Sequence, residues 1–286
     1  MRAAFGPAGN ADEFAARYKS SLDAPAWLSA QGLELYEYQC GKGVNIGEET
    51  ARKLGQRARE HQVRLSLHAP YFINLANPDP ESLRKTAGYI VSACRAADQM
   101  GADRVVIHSG ALMKRTRREA LSIALASLKE IVATVDGEGL GHIHLCPETM
   151  GKLGQLGDLD EVLELCTLDE RLVPCIDFGH LYARSLGADE GEEAVERMLS
   201  RVAEVLGEER ASRFHSHFSM IAFTPGGGEK CHLTFDQTDF GPDYRPLMAA
   251  VARRGWGPTF ICESAGTQAR DALAMQRAYL AALGEG

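Results

Sequence analysis

Residues Leu65–Leu75 read LSLHAPYFINL and place a histidine, His68, at the end of an apolar run, before a proline and two aromatic residues. A short apolar run that stops before proline is typical of a buried β-strand, here residues 63–68. A lone histidine at such a strand end is most often a core residue bonded to nearby backbone groups. Its meaning therefore depends on what the other strands carry at their ends.

The same pattern repeats along the whole chain, because short β-rich runs alternate with long amphipathic segments. We predict strands at residues 2–5, 33–39, 63–68, 104–108, 142–148, 173–177, 213–218 and 259–263. We predict helices at residues 11–31, 47–61, 80–100, 115–135, 159–165, 192–206, 244–253 and 268–283. Several strands are too uniformly apolar for a sheet with one exposed face, so both faces are expected to be buried.

Strands that each precede a helix, in a chain of 286 residues, match a (β/α)₈ TIM barrel better than an open doubly wound sheet. No G-x-G-x-x-G motif follows the first predicted strand, which argues against a dinucleotide-binding fold. No Pro/Ser-rich linker or low-complexity tract divides the sequence. We therefore predict an α/β protein with one TIM-barrel domain over residues 1–286.

Composition restricts the compartment and the kind of partner. The N-terminus MRAAFGPAGNADEF lacks the apolar core of a signal peptide, and no apolar run approaches the roughly 18 residues that span a bilayer. The seven cysteines form no C-x-x-C pair, which fits a reducing cytoplasm. The net charge of −8 argues against a surface that binds nucleic acid everywhere, although a local basic patch such as Lys114–Arg118 is compatible with it.

Acidic and imidazole side chains recur at the carboxyl ends of the predicted strands or just after them, where TIM barrels form their active sites. Histidine and carboxylate are the ligands that suit Zn²⁺ or Mn²⁺, and unrelated core histidines would not align so regularly. The sequence therefore predicts a metal site. Its candidate ligands are His68, His108, Glu148, Asp177, His180, His217, His232 and Glu263.

These segments resemble endonuclease IV, the metal-dependent apurinic/apyrimidinic (AP) endonuclease family within the xylose isomerase-like barrels. HAPYFINLANPDPE, from His68, carries most of the resemblance, and VIHSG, PETMGKLGQLG, IDFGH and ICES follow in the family's order. The resemblance implies two or three Zn²⁺ ions, with Mn²⁺ as an alternative, and a first ion bound by His68, His108 and Glu148. Glu148 would bridge to a second ion. The other ligands are Asp177, His217 and Glu263 for the second ion, and His180 and His232 for a third.

Two positions required a choice. His217 is preferred to His215 as the ligand of the seventh strand, because it keeps the family's separation from His232, and His215 is expected to support the site from behind. The family has Asp-x-His after this strand, whereas this chain has Lys230 two residues before His232. A protonated lysine cannot bind a metal, so the third ion either uses Glu229 or is weakly bound or absent. Lys230 could instead bind a substrate phosphate.

The implied substrate is double-stranded DNA with an abasic site, cut by a monomeric enzyme with Glu148 and Glu263 as its catalytic carboxylates. Tyr71 and Phe72 match the family's wedge residues, which fill the space of a flipped-out nucleotide, and packing at the barrel rim is their alternative role. The loop after the second strand lacks the family's inserting arginine. In that loop only Gln39 and Lys42 are suited to contact a DNA backbone.

Two other functions remain open at this point. A sugar isomerase or epimerase would need one divalent ion, held by Glu148, Asp177, His217 and Glu263, with His68 or His108 positioning the sugar. The net charge and the altered second loop favour it, while the additional histidines do not. A non-catalytic metal-binding scaffold is the third possibility. The segment PGGGEK (Pro225–Lys230) lacks the spacing of a phosphate-binding P-loop and predicts a mobile loop over the mouth.

Overall fold

The computed structural model describes residues 1–285, and its principal feature is a sheet of eight parallel strands wound into a barrel. The neighbours follow the order β1-β10-β7-β6-β5-β4-β3-β2, which confirms the predicted (β/α)₈ fold. The barrel strands are β1 (Ala4–Pro7), β2 (Leu35–Gln39), β3 (Arg64–His68), β4 (Arg104–His108), β5 (His144–Glu148), β6 (Cys175–Asp177), β7 (His215–Phe218) and β10 (Thr259–Cys262).

The seam between β1 and β2 closes the barrel. The Glu34 N–H donates to the Phe5 carbonyl at 3.1 Å, and the Gly9 N–H donates to the Glu37 carbonyl at 2.9 Å. Gly6 permits this approach, because a Cβ at that position would lie only 1.9 Å from the Leu35 carbonyl oxygen. The absence of a side chain at Gly6 is therefore a condition for closure.

Helices surround the barrel and cover its outer face. They are α1 (Asp12–Ala15), α2 (Ala24–Ser29), α3 (Glu48–Glu60), α4 (Pro80–Met100), α5 (Arg117–Gly137), α6 (Leu159–Cys166), α7 (Phe178–Arg184), α8 (Gly191–Leu206), α9 (Glu208–Ala211), α10 (Tyr244–Arg254) and α11 (Gln268–Ala282). The large hydrophobic core lies between these helices and the strands. Within residues 1–285, no helix combines the length and the apolar character needed to cross a membrane.

The predicted helix at residues 11–31 is wrong, because the structure divides it into α1, a 3₁₀ turn at Ser21–Asp23, and α2. The Ser20 hydroxyl accepts the Leu22 N–H and so begins a new turn. Pro25 lies in the first turn of α2. Proline lacks an N–H and cannot continue a preceding helix, so it favours a fresh start here.

Two further elements differ from the prediction. Helix α7 directly follows β6, and its first turn is capped by Asp177, whose side chain accepts the His180 N–H. The segment predicted as a loop over the mouth belongs to an antiparallel hairpin of β8 (Met220–Thr224) and β9 (Gly228–Leu233). Gly228 bridges to Lys152, so the hairpin packs on the segment that follows β5.

Barrel closure depends on Gly6, so we expect Gly6→Ala to lower the free energy of unfolding by at least the roughly 1–3 kcal/mol of an overpacked core. Gly88→Ala is the matched control: Gly88 is exposed in the interior of α4, and a Cβ there meets nothing within 4 Å. This control should raise stability by ~1 kcal/mol through helix propensity. Denaturant unfolding of both variants measures the difference, and a Gly6→Ala variant as stable as the parent would contradict this account of closure.

Candidate metal centre

The register of the parallel strands brings the predicted ligands to one end of the barrel. His108 is level with Glu148, and Asp177 is level with His217. Side chains alternate across a strand, so residues two apart point into the barrel together, as Glu37 and Gln39 do on β2. The carboxyl ends of the strands therefore form one polar layer at the mouth.

Glu148 occupies the centre of this layer and is 1% exposed. Its Oε2 lies 3.4 Å from His68 Nε2 and 3.3 Å from His108 Nε2. Its Oε1 lies 3.0 Å from His217 Nδ1 and 3.6 Å from His180 Nδ1. The two oxygens of one carboxylate thus face different histidines, Oε2 toward His68 and His108 and Oε1 toward His217.

A second group of ligands lies beside Glu148 and contains Asp177, His217 and Glu263. One ligand atom from each of Glu148, Asp177, His217 and Glu263 lies within 4.8 Å of the others. The Asp177 Oδ1 caps α7 at 2.7 Å from the His180 N–H. Its Oδ2 is buried without a hydrogen-bond partner among residues 1–285, although it lies 3.3 Å from His180 Nδ1. An orphaned carboxylate oxygen in this position fits a cation ligand.

The third group consists of His180, Glu229 and His232, whose ligand atoms also lie within 4.8 Å of one another. The pairing of β8 and β9 shifts register here: Cys231 pairs with Ala222, and Glu229 pairs with Phe223. The extra residue, Lys230, is a β-bulge, which lets Glu229 and His232 face the same side despite their odd separation. The geometry brings Glu229 to the two histidines, in agreement with the alternative in which Glu229 is the third ligand.

Three of these histidines are oriented in the same way. His68 Nδ1 lies 2.7 Å from the Ala69 carbonyl oxygen, and His180 Nδ1 lies 2.8 Å from that of Thr149. His232 Nδ1 lies 2.8 Å from the Ser219 hydroxyl. Carbonyl oxygens only accept, so the first two rings carry a proton on Nδ1, and Nε2 is the nitrogen that faces the carboxylates of Glu148 and Glu229. Metal-binding histidines are commonly held by such hydrogen bonds.

Burial and neighbouring charges set the protonation of the site. Burial lowers the pKa of His108 to about 4, so that ring is neutral at pH 7. Burial also opposes the charge on His68, but the hydrogen bond and charge of Glu148 raise its pKa to about 9. Burial disfavours the Glu148 carboxylate too, yet His217 and His68 hold its pKa well below the usual range. Protons on imidazoles thus balance the acids, and a divalent cation can replace them.

The residues present fit divalent metal ions for three reasons. The imidazoles are held in fixed orientations, one carboxylate is shared between histidines, and a second carboxylate has a buried oxygen without a hydrogen-bond partner among residues 1–285. Nitrogen and oxygen donors in this mixture suit Zn²⁺ or Mn²⁺. The structure brings all eight predicted ligands to the mouth. His215 lies one layer below, bonded to Thr259 at 2.7 Å and to Glu37 at 2.9 Å.

A cavity of about 360 Å³ opens above the ligands. Of the predicted substrate-binding residues, Gln39 and Tyr71 line it. Phe72 packs against Tyr71 with ring centroids 5.8 Å apart, while Lys42 is exposed after β2 and Lys230 is exposed on β9. Among the described residues, Lys42, Phe72 and Lys230 do not contribute to the cavity wall.

Residues that the sequence analysis did not identify also belong to the site. Lys152 and Gln155 line the cavity from the segment after β5. Glu37 is fully buried beneath His217, with its Oε1 2.9 Å from His217 Nε2. A charged residue between two tyrosines in the strand LYEYQ was the available indication, since an acid within an apolar strand needs partners in the interior.

Comparison with known proteins agrees with this architecture. The profile of the family described as xylose isomerase-like TIM barrel matches residues 25–279. An uncharacterized protein of Methanocaldococcus jannaschii is 32% identical over 237 residues, covering 83% of this chain and 84% of that protein. A probable endonuclease 4 of Acholeplasma laidlawii is 28% identical over 121 residues, which span 41% of this chain and 40% of that relative.

Solved structures show the same fold at low identity. Endonuclease IV from Thermus thermophilus superposes with a TM-score of 0.64 at 18% identity, covering 100% of both chains. A D-tagatose 3-epimerase-like protein gives a TM-score of 0.66 at 20% identity, covering 88% of this chain and 90% of that one. At these identities the superpositions establish the barrel, and the relatives support the resemblance to endonuclease IV that the sequence indicates.

Metal binding should stabilise the fold. Adding Zn²⁺ or Mn²⁺ to chelator-treated protein is expected to raise Tm, because a ligand at a hundred times its Kd contributes about 2.7 kcal/mol to the folded state. Glu148→Gln should lose most of this shift, since it removes the central charge of the site. Glu170→Gln, at an exposed position, should keep it. Thermal unfolding with and without metal provides the measurement, and equal shifts for both variants would argue against a centre built on Glu148.

Proposed function

The chain belongs to the xylose isomerase-like TIM barrel family, and we propose that it is a metal-dependent phosphodiesterase that hydrolyses DNA 5′ to abasic sites, leaving a 3′-hydroxyl. One observation carries the proposal. The carboxylate of Glu148 lies within 3.6 Å of four imidazole nitrogens, and a further ligand group of His180, Glu229 and His232 lies alongside. A centre for one ion does not need so many imidazoles.

In this proposal His68, His108 and Glu148 hold one ion, and Glu148, Asp177, His217 and Glu263 hold a second. His180, Glu229 and His232 hold a third. Closely spaced Zn²⁺ or Mn²⁺ ions, when bound, supply a hydroxide nucleophile at neutral pH and neutralise charge on the phosphate. Glu148 fixes the spacing of the ligands, because its two oxygens face different histidines.

The protein's own groups bind and orient the substrate. Glu263 keeps 16% of its side chain exposed and lines the cavity, so substrate or water can reach this acid. Its Oε2 lies 3.5 Å from His217 Nδ1, which orients the carboxylate. Lys152 brings a positive charge to the same cavity for a phosphate oxygen.

Exposed aromatic rings near the mouth support a damaged duplex as substrate. Tyr71 is 54% exposed and Phe72 is 43% exposed, so both rings are accessible to a substrate. Such rings can fill the space that a flipped abasic nucleotide leaves in the base stack. Lys42, after β2, and Lys230, on β9, are exposed and are suited to neighbouring phosphates.

A sugar isomerase or epimerase is the second candidate, and one observation favours it. Glu148, Asp177, His217 and Glu263 form a compact group that would hold a single ion. The cavity of about 360 Å³ can hold a monosaccharide. In that case two of the carboxylates would move a proton at carbon, and His68 or His108 would position the sugar.

An abasic-site duplex assay tests the proposal directly. Chelated protein should be inactive, and Zn²⁺ or Mn²⁺ should restore cleavage 5′ to the lesion. Glu148→Gln and Glu263→Gln should each lower kcat by more than the roughly 100-fold cost of losing an indirect metal partner, while Glu170→Gln cleaves normally. A chain that turns over ketose sugars with one ion, and leaves abasic DNA intact under every metal condition, is an isomerase or epimerase instead. Bound metal without either turnover would identify a scaffold.

The third ligand group gives a separate expectation. Glu229→Ala should lower the metal content by about one ion per chain, because it removes an oxygen ligand. Lys230→Ala should leave the metal content unchanged, since Lys230 is the exposed bulge residue. Elemental analysis of both variants measures this. Loss of an ion from Lys230→Ala, or none from Glu229→Ala, would show that Glu229 does not replace the family's aspartate.

We also propose a cytoplasmic monomer. All seven cysteines are free, six of them buried, which is compatible with a reducing compartment. Burial raises the pKa of the Cys94 and Cys146 thiols to about 12, so these groups are packing residues and not nucleophiles.

A further inference from the structure

Beneath the metal centre, the barrel interior holds a buried carboxylate with four polar neighbours. Glu37 projects from β2 and is 0% exposed. Its Oε2 accepts hydrogen bonds from Ser66 Oγ at 2.8 Å and from His215 Nε2 at 2.9 Å. Its Oε1 accepts one from Gln39 Nε2 at 3.0 Å and lies 2.9 Å from His217 Nε2. Each oxygen of the Glu37 carboxylate therefore has two polar neighbours.

The contact with His217 decides which nitrogen of that ring faces the metal centre. An ionised carboxylate has only lone pairs to offer. Nε2 lies 2.9 Å from Glu37 Oε1 without a well-aligned hydrogen bond among residues 1–285, whereas Nδ1 lies beside the carboxylates of Glu148 and Glu263. A cation among those ligands would take the Nδ1 lone pair and leave the ring proton on Nε2, where it faces the charge of Glu37. The other nitrogen, Nδ1, points at Glu148 Oε1 at 3.0 Å. His217 thus offers Nδ1 to a cation.

Glu37 is itself anchored to the barrel wall. His215 is held in turn by Thr259, whose hydroxyl lies 2.7 Å from His215 Nδ1. The Thr259 oxygen also accepts from Arg104 Nη1 at 2.6 Å. The backbone carbonyl of Glu37 accepts a hydrogen bond from the Gly9 N–H at the seam that closes the barrel. The carboxylate is therefore fixed by side chains from β3, β4, β7 and β10 and by the backbone of its own strand.

We propose that Glu37 is a positioning residue that orients His217 for metal binding, with Ser66 and His215 holding Glu37 in place. This proposal rests on the metal centre of the proposed function. A carboxylate behind a histidine fixes the ring and makes its free nitrogen a stronger donor. Glu37 therefore raises the affinity of the site that contains His217, without touching the ion or the substrate.

A purely structural role for Glu37 would not account for its chemistry. The barrel strands also bury small apolar side chains, as the cluster of Val106, Cys146 and Cys175 shows. A buried charge is costly unless it is paired, and an apolar residue is often as stable in such a place. A role in orienting His217 explains why a carboxylate is buried at this position.

Glu37→Gln tests the proposal, with Glu34→Gln as the matched control at an exposed position just before the same strand. The measurement is the affinity for Zn²⁺ by competition with a chromophoric chelator, together with the visible spectrum of the Co²⁺-loaded protein. We expect Glu37→Gln to weaken binding by about 10–100-fold and to change the Co²⁺ bands, while Glu34→Gln matches the parent in both.

Ser66→Ala provides a second variant in case Glu37→Gln does not fold. It removes one hydrogen bond from Glu37 and leaves the charge in place, so we expect a several-fold loss of Zn²⁺ affinity. Ser122→Ala, on the exposed face of α5, is its control. Unchanged affinity and Co²⁺ spectrum in every folded variant would overturn the proposal, even if chelated Glu37→Gln melts at a lower temperature.

The outcomes for the two proposals can be separated. A parent protein that binds metal but leaves abasic DNA intact removes the phosphodiesterase assignment, while the variants' affinities still decide the role of Glu37. Cleavage by a protein whose metal affinity is insensitive to Glu37 and Ser66 supports the assignment and removes the positioning role. A parent protein that binds no divalent ion overturns both.

Discussion

The carboxylate of Glu148 is the interaction on which the site depends. It is almost fully buried among imidazoles, so its charge must be matched by protons on those rings or by cations. Its pKa is held far below the usual range despite burial, because His217 and His68 bond to it. A buried acid shared between histidines of four different segments is unfavourable as packing and favourable as a bridging metal ligand.

That arrangement requires a closed barrel. The ligands come from segments far apart in sequence, and only the parallel register sets them at one height, as with Asp177 beside His217. Closure depends on the close approach of Gly6 to Leu35. The same seam includes the Glu37 carbonyl, so the residue that orients His217 also takes part in closing the wall.

Segments outside the barrel strands complete the candidate site. The β8–β9 hairpin carries His232 and, through its bulge, turns Glu229 inward where the family pattern would place residue 230. Arg184 donates to the Met150 and Lys152 carbonyls and holds the segment that brings Lys152 to the cavity. Arg117, in the basic run Lys114–Arg118, is paired with Glu161. Its guanidinium also donates hydrogen bonds to the Leu153 and Gln155 carbonyls of the same segment. These contacts shape the mouth, whereas the barrel strands carry most of the candidate metal ligands.

Residue types and their order were enough to predict the barrel and the histidines and acids that meet at its mouth, because alternating apolar periods are properties of neighbouring residues. The strands ending at His68 and His108 and the helix Pro80–Met100 were located to the residue at those ends. Contacts in three dimensions settled the rest. They divided the segment after β1 into short helices, formed a hairpin where a loop was predicted, placed Glu229 beside His180 and His232, and brought Glu37 to 2.9 Å from His217. Each of these depends on register or on contacts between distant segments, and residue order does not encode a distance between strands that meet only when the barrel closes.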